Sequence, residues 1–367
     1  MTTSLVPTLP GRFYTDPKVF EAEQRAIFER SWMCVGRAEE VASPGRFLRT
    51  EVGGESVLVV AGRDGEVRAF RNLCRHRGAW LCTEESGAFA RAIRCGYHSW
   101  TYGLDGRLLA APNMREMPDL VKAEHGLHPV RLQRWLGYLW LNLSSAARPL
   151  NQQVEPQLRA RLGGPEVLER YGVERLGLAR RITYEVESNW KSVIENFMEC
   201  YHCATIHPEL TAALPQFASG YGTVSGGVGT GARFAEHVEG FSRSGAAARP
   251  RLPGLLPEDD RIFHGVILRP NVFLILVPDH VALFRLVPVA PDHTRVLVDW
   301  LFDPDAMAAD GFDPAGAVEL LDITNRQDFE ACRRCQLGMR SSAYAGVLVP
   351  AEHVITDFYD YYRAAMR

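Results

Sequence analysis

Apolar positions near the start of the chain recur at helical spacing. Phe20, Ile27, Phe28 and Trp32 can share one face of a helix that runs to about residue 33. Asp16 is placed to cap it, ahead of Pro17 at its first position. From 47 to 143 the pattern shortens to β-rich runs at 56–61, 66–72, 90–94 and 138–143. Turn signals such as Gly62-Arg-Asp-Gly65 and Leu104-Asp-Gly106 separate them. Residues 144–175 are polar and contain proline; they read as a partly helical connection. A strand is expected at 181–187, and Asn189 can cap a helix that begins at Trp190. Four apolar runs, 262–268, 272–277, 281–288 and 295–302, alternate with Pro, Asn and Asp turns, as in an antiparallel sheet. A long helix over 315–338 and a short one carrying Phe358, Tyr359, Tyr361 and Tyr362 complete the pattern.

This predicts an α+β chain in three parts: a helical arm over 1–44, a small all-β domain over 45–143, and a larger domain over 144–367 with an antiparallel sheet and a long helix that closes its core. With 367 residues, each of the two main parts can bury its own core. Hydrophobic residues make up 46% and charged residues 23%, as in ordinary globular proteins, and the net charge of −3 gives no reason to expect nucleic acid. No apolar run reaches membrane-spanning length, and the N-terminal residues lack the pattern of a secretion signal; a cytoplasmic location is expected. Eight cysteines in a chain of this size need not form a disulfide scaffold; reduced thiols, some binding metal, are expected.

Two Cys-and-His pairs carry the first chemistry: Cys74-Arg-His76 and Cys95-Gly-Tyr-His98, both in the small domain. Two thiolates and two imidazoles suit a single structural zinc. They also suit a [2Fe–2S] cluster with cysteines on one iron and histidines on the other. Spacing alone leaves both open. A second cluster, Glu199, His202 and His207, lies in the larger domain. Positions five apart on an ideal helix point about 140° apart, so His202 and His207 share an ion only if the helix breaks, for which Thr205, Ile206 and Pro208 give grounds. Glu199, three before His202, can reach its imidazole. Two imidazoles with one carboxylate make the facial triad of non-haem iron enzymes; Asp322, Asp328 and Glu330 on the late helix are all candidates for the third ligand.

The segments Asn72-Leu-Cys-Arg-His-Arg-Gly-Ala79 and Arg94-Cys-Gly-Tyr-His-Ser-Trp-Thr-Tyr-Gly-Leu-Asp-Gly-Arg-Leu108 resemble the two binding loops of Rieske non-haem iron oxygenases. Gly96 stands where the family usually has Pro, and Ser99 where it has Gly. The segments 189–208 and 325–341 resemble the catalytic part of the same alpha subunits. The resemblance implies a Rieske domain with Cys74, His76, Cys95 and His98 around a [2Fe–2S] cluster. It also implies a helix-grip, START-like catalytic domain, whose sheet wraps the long helix and with which the N-terminal arm packs, and mononuclear Fe(II) on His202, His207 and Asp328. Glu199 would link His202 to the Rieske histidine of a neighbouring subunit in a homotrimer or hexamer. Electrons would come from a separate flavin or iron–sulfur reductase using NAD(P)H, since no nucleotide-binding fingerprint is evident. The form Glu199-Cys-Tyr-His-Cys203 is similar to the branch acting on quaternary amines such as choline, betaines and carnitine. The implied reaction uses O2 to hydroxylate an N-methyl group, which is then lost as formaldehyde. Hydroxylation of an aromatic ring or another C–H bond, by a mono- or dioxygenase, is the alternative; a zinc-stabilised binding protein is the reading from a different class.

A methylated ammonium calls for aromatic faces. Phe197, Tyr201, Phe217, Tyr221, Phe234, Phe263, Phe273, Phe284 and Trp300 are available, most of them expected in the core. The pairs Cys200/Cys203 and Cys332/Cys335 could offer four thiols to a third metal, with helix packing as the plainer reading. The glycine-rich stretch 219–231 is expected to be a mobile loop.

Overall fold

The computed structural model describes residues 5–113, 121–220, 229, 231–246 and 249–367. Most of the glycine-rich stretch, with Tyr221, lies outside the described residues. The chain divides into two compact units: a larger one made of the residues up to Glu23 together with Asn151–Arg367, and a smaller one, Gln24–Leu150. The division falls at 23 and 150 rather than at the expected 44 and 143. The strand at 33–37 pairs within the small sheet, whereas the helix before it packs with the C-terminal region.

The chain opens with β1 (Val6–Pro7), α1 (Arg12–Thr15) and α2 (Pro17–Glu23), the last after Asp16, whose carboxylate accepts the Lys18 N–H at 2.8 Å. One π-helical turn (Gln24–Phe28) follows. The small unit then runs through β2 (Met33–Arg37), β3 (Arg46–Val52), β4 (Glu55–Ala61), β5 (Val67–Arg71) and β6 (Ser86–Ala88). After these come β7 (Ile93–Arg94), β8 (Thr101–Tyr102), β9 (Leu108–Ala110), β10 (Pro129–Trp135) and β11 (Tyr138–Asn142). Seven of them form a sheet in the order β2-β11-β10-β5-β4-β3-β6, and β7-β8-β9 form a second sheet. Phe47, Leu58, Val60, Phe70, Ile93 and Tyr102 pack in one core with Cys74 and Cys95, so the roots of both Cys-and-His loops sit on packed apolar surface.

The large unit continues with α3 (Leu150–Leu162), α4 (Pro165–Arg170), β12 (Gly177–Val186), α5 (Trp190–Met198), α6 (Cys203–Ile206) and α7 (Pro208–Ala213). Next come β13 (Ala232–Arg233), β14 (Ile262–Leu268), β15 (Val272–Val277), β16 (His280–Ala290) and β17 (His293–Phe302). Then α8 (Pro304–Ala308), α9 (Ala315–Met339), β18 (Val347–Leu348) and α10 (Ile355–Ala365) close the chain. The antiparallel sheet has the order β12-β17-β16-β15-β14-β13, successive hairpins with β12 added beyond β17. Every residue of β15 is buried, which is why its sequence VFLILV shows no alternation. α9 lies by β12, where Tyr184 donates to Asp322 at 2.6 Å and meets Phe329 edge-on.

One charged knot fastens α5 in place. Glu23 and Lys191 are both fully buried; Lys191 Nζ donates to Glu23 Oε1 at 2.6 Å, Tyr362 OH to the same oxygen at 2.7 Å, and Trp190 Nε1 to Oε2 at 2.8 Å. Burial lowers the Lys191 pKa, opposed by Glu23. The ammonium also lies over the rings of Tyr14, Trp190 and Tyr362 at 5.4, 5.1 and 5.4 Å. Among the described residues no helix is long and apolar enough to cross a membrane.

Candidate metal centres and the catalytic cavity

The two loops of the small unit repeat one hydrogen-bonding pattern. Cys74 N donates to Ala79 O at 2.8 Å and Cys74 O accepts from Gly78 N at 2.9 Å; Cys95 N donates to Trp100 O at 2.8 Å and Cys95 O accepts from Ser99 N at 3.1 Å. Gly78 and Ser99 hold matching left-handed conformations, φ 73° and 59°. Ser99 adopts this strained region where glycine would be unstrained, and its hydroxyl accepts from Arg94 at 2.8 Å. Open space surrounds the position a Cβ would take at Gly78. Changing Gly78 to Ala should therefore cost only the backbone term, about 1–2 kcal/mol. Chemical denaturation of the holoprotein reads that loss, while the cluster's visible spectrum should stay unchanged.

Cys74 and Cys95 are buried while His76 and His98 are exposed, their ring centroids 4.6 Å apart, with His76 stacked on Trp100. Tyr102 OH reaches Cys74 Sγ at 3.2 Å and accepts the Arg75 N–H at 3.0 Å. Asn72 braces the first loop, donating to Cys82 O at 2.7 Å and accepting from Leu81 and Cys82 N–H at 3.1 Å each. Burial raises the Cys74 thiol above its ordinary range, and neighbouring Cys95 adds to this. The Cys74 thiol, packed beside Cys95 in an apolar core, ionises readily only against a cation, while the imidazole side is open to solvent; this division suits the unequal irons of a Rieske cluster.

In the large unit Asn189 caps α5, its side chain accepting from Lys191 N–H. The helix stops at Met198, and Glu199 is already extended at φ −122°, ψ 162°. A turn leads to α6, and His207, at φ −122°, ψ 64°, breaks the chain again before Pro208 starts α7. The break lets both imidazoles point at α9. Asp328 Oδ1 lies 2.8 Å from His207 Nε2 and 3.3 Å from His202 Nε2, and the three ligand atoms fall within 4.8 Å of one another. On the far edges His202 Nδ1 contacts Glu199 Oε1, and His207 Nδ1 lies 2.7 Å from Gln327 Oε1. Each Nδ1 thus faces an oxygen acceptor and must donate, leaving the Nε2 lone pairs turned to a carboxylate oxygen. Such an arrangement calls for a cation between them.

The pKa directions say the same. Burial alone would lower His202, but the contacts to Asp328, Cys203 and Glu199 raise it to about 12. Burial raises Asp328, and the two histidines outweigh it and lower the carboxyl. A proton is held tightly there because the site favours any positive charge, and ferrous iron suits its two nitrogens and one oxygen. The other acidic candidates turn elsewhere: Asp322 to Tyr184 and Arg326, Glu330 to Arg333 and Arg334. Gln327 escaped the sequence reading; only its place beside Asp328 pointed to it. None of Cys200, Cys203, Cys332 and Cys335 joins a group of three or more converging metal-ligating atoms among the described residues; Cys332 Sγ approaches Ser192 O at 3.7 Å.

The triad opens into a cavity of about 400 Å³. β14 contributes alternate residues Phe263, Gly265 and Ile267, with Arg269 just beyond its end, and α9 contributes Leu321, Thr324, Asn325 and Asp328 from one face. α3 supplies Gln157 and Arg161, and Phe197, Phe217 and Phe241 complete the aromatic lining. Phe241, Gln157 and Arg161 were not among the residues singled out from the sequence; the last two lie in the segment read as a connection.

Residues 173–367 match the family described as ring hydroxylating alpha subunit (catalytic domain), and residues 31–124 match the Rieske [2Fe-2S] domain. The glycine betaine monooxygenase oxygenase subunit of Chromohalobacter salexigens is 33% identical, over 98% of this chain and 86% of its own. The carnitine monooxygenase oxygenase subunit of Escherichia coli K12 is 39% identical, over 55% of this chain and 52% of its own. Among solved structures, the quaternary ammonium Rieske monooxygenase CntA with L-carnitine superposes with TM-score 0.74 at 25% identity, covering 100% of this chain and 97% of that one. Naphthalene 1,2-dioxygenase from Rhodococcus shares the fold, with TM-score 0.77 at 20% identity over 98% of this chain and 94% of its own. The chain therefore belongs to the Rieske non-haem iron oxygenases, as a catalytic alpha subunit with a [2Fe–2S] cluster in its small unit and a mononuclear iron in its large one.

Proposed function

We propose that this oxygenase hydroxylates an N-methyl group of a quaternary ammonium compound of the betaine type, which then loses formaldehyde and leaves a demethylated amine. In this reading Cys74, His76, Cys95 and His98 hold the cluster, and His202, His207 and Asp328 hold the iron. When bound, the cluster supplies single electrons and the iron supplies the activation of O2. Glu199 takes the Nδ1 proton of His202 as a hydrogen bond and so fixes the ring; Gln327 does the same for His207. A separate flavin and iron–sulfur reductase using NAD(P)H delivers electrons, and the subunits assemble as a homotrimer, or a hexamer of two, in the cytoplasm.

The observation that carries the substrate class is a three-ring wall in the triad's cavity. Phe217 and Phe241 each lie 5.4 Å from Phe263, inclined by 87° and 52°. A methylated ammonium donates no hydrogen bond, and inclined ring faces attract its charge and cover its methyl groups. The oxygenase subunits acting on glycine betaine and on carnitine are among the chain's relatives, which supports the same class. The apolar lining would also admit an arene, and a biphenyl 2,3-dioxygenase alpha subunit from Rhodococcus jostii matches 54% of the chain at 30% identity.

The test is formaldehyde release by the reconstituted enzyme and a reductase on glycine betaine, carnitine and choline, run beside biphenyl and naphthalene. Formaldehyde is expected with at least one trimethylammonium compound, at a rate at least 10-fold above background (about 1.4 kcal/mol of transition-state preference). Silence on all the amines with turnover of an arene would transfer the assignment to ring hydroxylation.

A further inference from the structure

The cavity wall carries a positive charge away from the iron ligands. Gln157 and Arg161, one helical turn apart on α3, both face the cavity. Arg161 Nε–H donates to the Gly265 carbonyl on β14 at 2.8 Å, which fixes the plane of the guanidinium along that strand. Burial lowers its pKa, so holding the charge there has a cost that an anion set against it would offset. Arg161 lines the same cavity as Glu199, Cys200 and His202, so one bound molecule can face both the guanidinium and the metal side.

The other guanidinium on the wall is engaged differently. Arg269 points Nε at Gln157 Oε1 at 3.3 Å, donates through Nη1 to the Asp357 carbonyl at 3.0 Å, and lies 4.9 Å over the Tyr361 ring. It ties β14 to α3 and α10. Arg161 bonds to the strand that carries Phe263, the ring at the centre of the three-ring wall.

The cavity is thus polar in one direction. Glu199 and Asp328 stand on the side of the triad, and Arg161 stands on the wall made by α3 and β14. With the metal bound, the charges of Glu199 and Asp328 are offset on the first side, and a carboxylate is drawn to the guanidinium on the second. We propose that Arg161 anchors the carboxylate of a zwitterionic substrate, so that the enzyme prefers betaines to choline-like cations and turns the N-methyl groups towards the iron. The inference rests on the quaternary-ammonium reading above. A guanidinium meets a carboxylate with paired N–H donors, which fixes orientation as well as charge.

The test is calorimetric titration of the anaerobic holoenzyme with three probes: glycine betaine, its methyl ester, and choline. Wild type should bind glycine betaine at least about 30-fold more tightly than the ester or choline. Arg161→Met should weaken glycine betaine binding by about 100-fold and change choline binding by less than about 3-fold, in line with truncating one partner of a buried charge pair. Arg161→Lys keeps the charge and should retain a preference for glycine betaine over the ester.

A merely structural role, propping β14 through Gly265, would weaken all three probes equally, and that result overturns the proposal. So does a wild-type enzyme that binds betaine and ester alike, a measurement that does not depend on any variant folding. If none of the three probes binds and no trimethylammonium compound releases formaldehyde, the substrate class itself is wrong. Binding of amines without regard to the carboxylate removes only the role of Arg161.

Discussion

Replacing Asp328 with alanine should lower the iron content from about three to about two atoms per chain, with the cluster's absorption unchanged and turnover reduced by ~10³-fold or more. The carboxylate is the single anion among the three converging ligand atoms, and it lies within hydrogen-bonding distance of both imidazoles. Without it two imidazoles remain, each still held at Nδ1 by Glu199 and Gln327. Two neutral nitrogens bind ferrous iron weakly, so that iron should wash out on desalting. The cluster should survive because the four residues proposed to hold it lie in the other unit, whose core includes Cys74 and Cys95. Iron analysis and the visible spectrum of the same sample decide it. Loss of the cluster together with the iron, or retention of all the iron, would refute the ligand assignment.

A second large effect is expected far from any metal. Lys191→Met should destabilise the large unit by about 3–5 kcal/mol, because it leaves the Glu23 carboxylate buried without its cation. The cost should fall mostly on Glu23: changing it to Gln in the Lys191→Met background should recover much of the loss, since a neutral amide still meets Trp190 and Tyr362. Denaturant midpoints of the wild type, the single variants and the double variant form the cycle that tests this. Simple additivity of the two changes would mean that the charges do not interact as the geometry indicates. Lys191 lies in the first turn of the helix that stops at Met198, one residue before Glu199, so the Lys191→Met variant should also hold mononuclear iron less well.

The parts of this molecule most legible in the sequence are those where one physical preference dominates. The strands β14 to β17 are runs of apolar residues punctuated by turns, and their observed limits lie close to the expected ones. Asn189 was readable as a cap because its side chain competes for backbone N–H groups wherever it stands. The break between His202 and His207 followed from Pro208 and the ideal helix angle. β10 escaped because PVRLQRW is a partly exposed strand with charged residues, without the apolar alternation that marks a sheet. α3 was read as a connection because polar residues outnumber its buried stripe Leu150, Val154, Leu158 and Leu162; beside that stripe Gln157 and Arg161 face the cavity. Which of Asp322, Asp328 and Glu330 faces the histidines is a matter of rotation about α9 and of partners distant in sequence. Only the resemblance chose among them beforehand. The aromatic wall could not be picked out from its neighbours, because Phe263 and Phe273 look alike and share one face of the sheet, and only their place on it decides which lines the cavity.

The return of the chain's first residues to the core of the larger unit governs the order of assembly during synthesis. Glu23 waits for Tyr362, and Val6 for Leu348, so the oxygen-handling half is completed only when nearly the whole polypeptide has left the ribosome. The inserted segment Gln24–Leu150 needs nothing downstream for its own sheets and is available much earlier. Nascent chains can therefore receive inorganic sulfide and iron at the first centre before the second has come into existence, and truncated products would be coloured but inert.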